Sequence, residues 1–172
     1  MTERSIEVLV SEAEISRRVA VIAAEIDRDF AGDELVVVGV LKGSFVFMAD
    51  LVRHIKMPLA CDFLRVSSYS GDMSTGTVRM DFDMTQPVLG KSVLLVEDIV
   101  DTGRTLRHLV AHMQSKGVAK LKIASLLYKE TGAGLKDVVS YIGFEVPDRY
   151  VIGYGLDSEG LYRSLPYVGA FK

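Results

Sequence analysis

An apolar segment that runs directly into three acids constrains the fold of this chain more than any other feature. Residues 93–96 are all aliphatic, and Glu97, Asp98 and Asp101 follow them. Such a run is typical of a strand buried on both faces of a parallel sheet. Thr102 and Gly103 then form a short loop before an amphipathic helix begins. Carboxylates at the strand end suit a metal or sugar hydroxyls, and free N–H groups at the helix start suit a phosphate. We therefore predict a site for a phosphorylated, hydroxyl-bearing ligand.

A simpler interpretation of the same residues is that Asp98 and Asp101 only cap the helix and that Gly103 only shapes a turn. One acid is enough for a cap, however. Three acids after an apolar strand repel one another, and a cation or hydroxyl donors would relieve that repulsion. We favour the ligand site.

The composition fits one globular domain and excludes several classes of partner. The 172 residues are 49% hydrophobic and 25% charged, so they can form an ordinary core. A net charge of −3 gives no overall basic surface for nucleic acid. The single cysteine, Cys61, excludes an internal disulfide and suits a reducing compartment, where we expect it to be buried. Without a signal-peptide pattern or a membrane-length apolar run, we expect a cytoplasmic protein with no membrane partner.

Strands and helices alternate along most of the chain. Ser11 and Glu14 have the spacing of a capping box, and a long amphipathic helix is predicted up to Phe30. Strands are predicted at 35–40, 93–96 and 120–128, the first two entirely apolar and each followed by a helix. This order predicts an α/β fold, with a doubly wound, mainly parallel central sheet flanked by helices. No repeat and no linker divides residues 1–172 into separate domains.

Two other predicted strand ends carry cations. Lys42 and Gly43 follow the strand at 35–40, and Lys129 closes the strand at 120–128. An ammonium attracts an anion by charge, and a glycine allows backbone N–H groups to approach it closely. In isolation, Lys42 would be interpreted as solvated and Gly43 as a turn residue. Beside the three acids, we expect both to bind the ligand.

A polar, glycine-containing segment at residues 68–76 cannot pack into a core. Tyr69 is therefore either an exposed residue without a role or part of a lid that closes over the site. The flanking strands, at 61–67 and 78–84, are expected to pair.

Four separated motifs together resemble the type I phosphoribosyltransferases, and specifically their hypoxanthine-guanine branch. Residues 93–106 resemble the family's signature for 5-phosphoribosyl-1-diphosphate (PRPP), and residues 41–43 its pyrophosphate loop. Residues 68–69 and 74–76 resemble its flexible loop, and Lys129, Tyr150, Val151, Asp157 and Arg163 its purine side. The resemblance covers nearly the whole chain. It implies one domain over residues 1–172, with a core at about 30–140 and a small hood from the N-terminal segment and about 141–172.

The resemblance also implies a reaction. The 5-phosphoribosyl group of PRPP would be transferred to N9 of hypoxanthine or guanine, giving IMP or GMP and pyrophosphate, as part of purine salvage. Mg²⁺ would be the cofactor. Members of the family commonly form dimers or tetramers, so the resemblance also implies a homodimer or homotetramer. Such chemistry needs cations and oriented N–H groups around a departing pyrophosphate more than it needs a protein nucleophile.

Each candidate residue receives a role from the resemblance. Asp101 is the expected general base near purine N7. The PRPP and phosphate set is Lys42, Gly43, Glu97, Asp98, Asp101, Thr102, Gly103, Arg104, Thr105 and Arg163. The flexible-loop residues are Ser68 and Tyr69. The purine set is Ile99, Lys129, Tyr150, Val151 and Asp157, and the metal set is Glu97, Asp98 and Asp157. Tyr150 stands where relatives more often have phenylalanine.

Two alternatives remain open. A xanthine-preferring phosphoribosyltransferase would share the requirement for a 6-oxo group, which Lys129 is expected to recognise. A regulator that senses PRPP and binds nucleic acid could share the fold. The acidic sequence, with pI near 5.6, and the full set of candidate catalytic residues weigh against the regulator.

Overall fold

Two β-sheets organise the chain in the computed structural model, which describes residues 5–68, 78–129 and 134–172. In chain order the elements are β1 (Ile6–Val10), α1 (Glu12–Asp29), β2 (Leu35–Leu41), α2 (Phe45–His54), β3 (Leu59–Ser68), β4 (Val78–Phe82), β5 (Ser92–Val100), α3 (Arg104–Ser115), β6 (Lys120–Lys129), β7 (Tyr141–Val146), β8 (Val151–Ile152) and β9 (Val168–Phe171). The six-stranded sheet has the order β4-β3-β2-β5-β6-β7, and the three-stranded sheet has the order β1-β9-β8. Among the described strands of the larger sheet, β4 alone runs antiparallel to its neighbour.

Helices cover both faces of the larger sheet. Val37 of β2 and Leu94 of β5 belong to a buried cluster that includes residues of α1 and α2. The adjacent residues Val36 and Val93 belong to a second buried cluster that includes residues of α3. The two central strands are therefore covered on both sides, which explains why their sequences lack polar alternation. The predicted doubly wound, mainly parallel α/β fold is confirmed.

The first helix begins and ends where its sequence pattern predicted. The Ser11 hydroxyl accepts a hydrogen bond from the backbone N–H of Glu14, and the Glu14 carboxylate accepts one from the backbone N–H of Ser11. This capping box satisfies two backbone donors that the first turn leaves free. The apolar face, which includes Ile15, Ile22 and Ile26, is fully buried. It fastens α1 to α2 and the sheet.

The strands that flank the predicted lid pair as expected, but Cys61 is not buried. β3 and β4 are antiparallel, with Ser68 opposite Val78. Cys61 is exposed, and Phe63, two residues further along β3, is exposed as well. Alternate residues of a strand point to the same face, so this face of β3 is incompletely covered. The prediction of a buried Cys61 was wrong because it followed the usual burial of free cysteines, whereas Cys61 lies on the incompletely covered face of β3.

The smaller sheet brings the two ends of the chain together. β1 and β8 both pair antiparallel with β9. β7, in contrast, pairs in parallel with β6, with Tyr141 opposite Ala124. The segment Tyr141–Val146 therefore belongs to the larger sheet, and its grouping with the hood at about 141–172 is corrected. The local sequence could not show this, because a short strand can complete either sheet. The assignment of residues 1–172 to one domain stays a prediction.

Candidate active site

A cavity of about 290 Å³ opens at the carboxyl ends of β2 and β5. Its lining combines the Lys42-Gly43 loop with the residues of the β5–α3 connection, as predicted from the strand ends. The lining residues named in the sequence analysis are Lys42, Gly43, Glu97, Asp98, Ile99, Asp101, Thr102, Gly103, Arg104 and Thr105. The peptide bond between Leu41 and Lys42 is cis.

The start of α3 carries no side-chain cap. Gly103 is the N-cap residue, in the left-handed conformation with φ 70°, and no side chain accepts a hydrogen bond there. The first backbone N–H groups of α3 have no partner within the helix, and together with the helix dipole they form a site for an anion. The interpretation of Asp98 and Asp101 as simple caps is therefore wrong.

Asp98 lies directly against the glycine of the facing loop. A Cβ atom added to Gly43 would lie 1.4 Å from Oδ2 of Asp98. A Cβ atom added to Gly155 would lie 2.1 Å from the carbonyl oxygen of Gly43. Three segments thus meet without room for a side chain at either glycine. These contacts bring the pyrophosphate-loop candidate, the acidic strand end and the turn before Asp157 together.

The two acids at the end of β5 are costly to ionise. Burial raises the pKa of Glu97 well above its ordinary value, and the adjacent charge of Asp98 adds to the effect. Desolvation raises the pKa of Asp98 to about 6, and backbone hydrogen bonds, chiefly from the N–H of Ile99, together with the charge of Arg163 only partly oppose this rise. A cation or a set of hydroxyl donors beside these carboxylates would compensate for the lost hydration.

A second cavity, of about 240 Å³, adjoins the first. Asp98, Ile99 and Asp101 line both. The rest of its lining consists of Lys129, Tyr150, Val151, Leu156 and Asp157. All five residues of the predicted purine set are therefore brought together, and we call this cavity the base pocket. One ligand can extend through both cavities, or two ligands can meet at the three shared residues.

Lys129 is held between two carboxylates at the edge of the base pocket. Its Nζ lies 2.9 Å from Oδ2 of Asp101 and 3.0 Å from Oδ1 of Asp148. The Lys129 side chain is only 11% exposed. Burial alone would lower the pKa of Lys129, but its hydrogen bonds to Asp101 and Asp148 outweigh burial and raise it. The group is therefore a fixed cation that can donate hydrogen bonds.

Tyr150 and Asp157 are joined across the base pocket. The Tyr150 hydroxyl donates a 2.9 Å hydrogen bond to the main-chain carbonyl of Asp157. The carboxylate of Asp157 is engaged elsewhere, because it accepts from Arg163 at 2.6 Å and from the backbone N–H of Gly160 at 2.7 Å. Within the described residues, no group of three or more acids, histidines or cysteines is arranged to hold a metal ion.

Arg163 and the predicted lid residues stand apart from the rest. Arg163 bonds the carbonyl of Gly155 and borders a different cavity, between α1, α2 and residues 163–166. It is not among the residues that line the cavity of about 290 Å³. Ser68 ends β3, but its side chain is not described, and Tyr69 lies outside the described residues.

Comparison with known proteins places this architecture in a family. Residues 6–159 match the family described as phosphoribosyl transferase domain. This chain belongs to the phosphoribosyltransferase family. It is 43% identical to the hypoxanthine-guanine phosphoribosyltransferase of Streptococcus pneumoniae, over 96% of this chain and 92% of the relative. It is also 43% identical to the enzyme of that name from Dictyostelium discoideum, over 96% and 95% of the two chains.

Solved structures agree with the sequence relatives. A hypoxanthine phosphoribosyltransferase from Staphylococcus aureus superposes with a TM-score of 0.90 at 42% identity, covering 96% of this chain and 91% of that one. A hypoxanthine phosphoribosyltransferase from Trypanosoma cruzi, in complex with the product IMP, gives a TM-score of 0.89 at 37% identity, covering 100% and 96%. The two-sheet architecture described above is thus that of a phosphoribosyltransferase.

Sequence reasoning missed two residues that shape this phosphoribosyltransferase site. Asp148 contacts Lys129 although the two are 19 residues apart in the sequence. Lys129 ends β6, and Asp148 lies between β7 and β8. Tyr154 adopts φ 48° and donates a hydrogen bond to Asp50 of α2, which anchors the turn that leads to Asp157. The Gly-Tyr-Gly sequence around Tyr154 was a local signal for an unusual turn. Nothing local pointed to Asp148.

Proposed function

We propose that this protein transfers the 5-phosphoribosyl group of PRPP to N9 of hypoxanthine or guanine, forming IMP or GMP and releasing pyrophosphate. The observation that carries this proposal is the meeting of two cavities at Asp98, Ile99 and Asp101. One cavity offers an anion site and acids, and the other offers a cation and an aromatic ring. Such a pair suits a sugar phosphate and a base that react where the cavities join.

The cavity at the start of α3 would bind the phosphoribosyl part of the substrate. The uncapped N-terminus of α3, with Thr102, Gly103, Arg104 and Thr105, would hold the 5′-phosphate. Glu97 and Asp98 would accept hydrogen bonds from the ribose hydroxyls. Lys42 and Gly43 would bind the pyrophosphate, the lysine by its charge and the glycine by its backbone N–H. Arg163 would join them only after leaving its bonds to Gly155 and Asp157.

The donor set fits Mg²⁺ in the way that phosphate-bound magnesium is usually held, through one or two carboxylates, water and substrate oxygens. Glu97 and Asp98 would supply the protein side of such a site, and their costly ionisation supports a nearby cation. When bound, the ion would neutralise charge on the departing pyrophosphate. Asp157 would contribute to a second ion after release from Arg163.

The base pocket would orient a 6-oxopurine. Lys129 would donate to O6, and Tyr150 and Ile99 would lie on the two faces of the ring. The carbonyls of Val151 and Asp157 would face its C2 edge. N9 would bond to C1′ as the bond from C1′ to pyrophosphate breaks, and Asp101 would take the proton from N7. An amino group at C6 cannot accept from Lys129, so adenine should be a poor substrate.

We also propose a cytoplasmic homodimer or homotetramer. An exposed thiol at Cys61 supports a reducing compartment. The exposed rings of Phe45 and Phe63 offer apolar surface for subunit contact. Among the described residues, no helix has the length and apolar character needed to cross a membrane.

A base panel tests the proposed reaction. The protein would be incubated with PRPP, Mg²⁺ and each of hypoxanthine, guanine, xanthine and adenine, and the nucleotide formed would be measured. Transfer to hypoxanthine or guanine, with little to adenine, is the expected result. A clear preference for xanthine would favour the xanthine alternative. Salt-dependent binding of nucleic acid without any transfer would favour the regulator.

A further inference from the structure

A hydrogen bond joins two residues of the base pocket, the side chain of Tyr150 and the main chain of Asp157. Tyr150 immediately precedes β8, and its hydroxyl donates to the carbonyl oxygen of Asp157 at 2.9 Å. Both residues line the base pocket. Tyr150 is 62% exposed and its hydrogen bond lies at the surface, so its hydroxyl can also turn towards water. A phenylalanine at this position would keep the ring but not the bond.

We propose that the Tyr150 hydroxyl is a substitute donor that lets one pocket accept both hypoxanthine and guanine. The inference rests on the proposed function, because it requires the purine to lie with its C2 edge towards the carbonyl of Asp157. It assigns the hydroxyl a role in base specificity that is separate from stacking by the ring.

The chemistry of the two bases explains the need for such a donor. Guanine carries an amino group at C2, which can donate a hydrogen bond to the Asp157 carbonyl. Hypoxanthine carries only hydrogen at C2 and makes no comparable bond. When hypoxanthine covers the carbonyl, it removes water from an acceptor without replacing the lost bond, and an unpaired acceptor is costly. The Tyr150 hydroxyl already satisfies that carbonyl and removes the cost.

Guanine does not lose its own contact through this arrangement. A carbonyl oxygen has two lone pairs, so the Asp157 oxygen can accept from the base and from Tyr150 together. If crowding prevents this, the exposed hydroxyl can bond to water instead. The hydroxyl therefore improves the binding of hypoxanthine more than that of guanine. It narrows the difference in binding affinity between the two bases.

The test is the Tyr150→Phe variant, with kcat/KM measured for guanine and for hypoxanthine at saturating PRPP and Mg²⁺. We expect the ratio of kcat/KM for guanine to kcat/KM for hypoxanthine to rise by about three- to tenfold over wild type. The rise should come from a lower kcat/KM with hypoxanthine. Because both bases are measured on one preparation, differences in folding or active fraction cancel from the ratio. Tyr162→Phe is the matched control, since Tyr162 packs on Phe171 away from the base pocket and its variant should keep the wild-type ratio.

Two results would overturn the inference. The ratio of kcat/KM values could move towards hypoxanthine, or it could stay at the wild-type value. An unchanged ratio with equal losses for both bases would mean that the hydroxyl only stabilises the turn. Failure of the wild-type protein to transfer to any base is a distinct result, which would overturn the proposed function and the inference together.

Discussion

The ammonium group of Lys129 lies 3.0 Å from the carboxylate of Asp148. The same ammonium lies 2.9 Å from Asp101, the proposed general base. In the proposed reaction, a purine in the base pocket would accept a hydrogen bond from Lys129 while Asp101 turns to N7. Asp148 would then hold the cation in place, because it contacts Lys129 from outside the base pocket lining.

We expect Asp148→Asn to weaken base binding selectively. A hydrogen bond to a charged group contributes more free energy than one between neutral groups. The Asp148 side chain is 63% exposed, however, so solvent screens its interaction with Lys129. The KM for hypoxanthine should therefore rise by about fivefold, with a smaller change in the KM for PRPP. Initial rates with each substrate varied in turn provide the measurement. Glu145→Gln, which removes a surface partner of Lys136, is the control. Equal changes in both KM values would contradict the assignment.

Asp101→Asn tests the general base. The amide keeps the shape of the carboxylate but does not accept a proton at neutral pH, so kcat with hypoxanthine should fall by about 100-fold. PRPP binding should weaken only modestly, because the uncapped start of α3 and Lys42 are untouched. Single-turnover rates and equilibrium binding of PRPP separate the two effects. A variant with wild-type kcat would rule out Asp101 as the base.

Gly43→Ala tests the close approach of the two loops. The new methyl group would overlap Oδ2 of Asp98, so either Asp98 or the loop must move. Displacements of this size in a binding site are costly, and we expect the Kd for PRPP to rise by about tenfold or more. Calorimetric titration with PRPP and Mg²⁺ measures the change. Gly39→Ala is a useful contrast, because its methyl group meets the side chains of Met48 and Phe63 and should lower stability instead. Unchanged PRPP affinity in Gly43→Ala would contradict the role of this glycine.

Asp29 should make stability depend on pH in the acid range. It joins α1 to the larger sheet, accepting hydrogen bonds from Lys122 at 2.6 Å and from Tyr141 at 2.8 Å. The bond from Lys122, followed by that from Tyr141, lowers the pKa of Asp29 to about 2. Because the folded pKa lies below the unfolded value, the stabilisation is complete above about pH 4 and is lost as the pH falls towards 2.

Asp29→Asn should therefore cost about 1–2 kcal/mol of unfolding free energy at pH 7, after allowance for solvent screening. The difference from wild type should shrink as the pH is lowered from about 4 towards 2. Urea unfolding at several pH values measures both quantities. A difference that stays constant over this range would show that the carboxylate is not the cause.

Local sequence patterns predicted much of the fold and part of the site. The capping box at Ser11 and Glu14 predicted the start of α1, since both partners lie within one helical turn. The fully apolar runs of β2 and β5 predicted strands covered on both faces. Strand ends at Lys42, at Asp98 and at Lys129 predicted a shared site, because parallel strands end at one edge of a sheet.

The sequence by itself thus determined the order of elements and the chemistry at the strand ends, because these depend on neighbours a few residues apart. Only the tertiary structure decided which sheet Tyr141–Val146 joins and whether Cys61 is covered. Tertiary structure alone also decided that Asp148 bonds Lys129 and that Tyr150 bonds the Asp157 carbonyl. These outcomes depend on long-range packing between segments, and no local periodicity records which segments will meet.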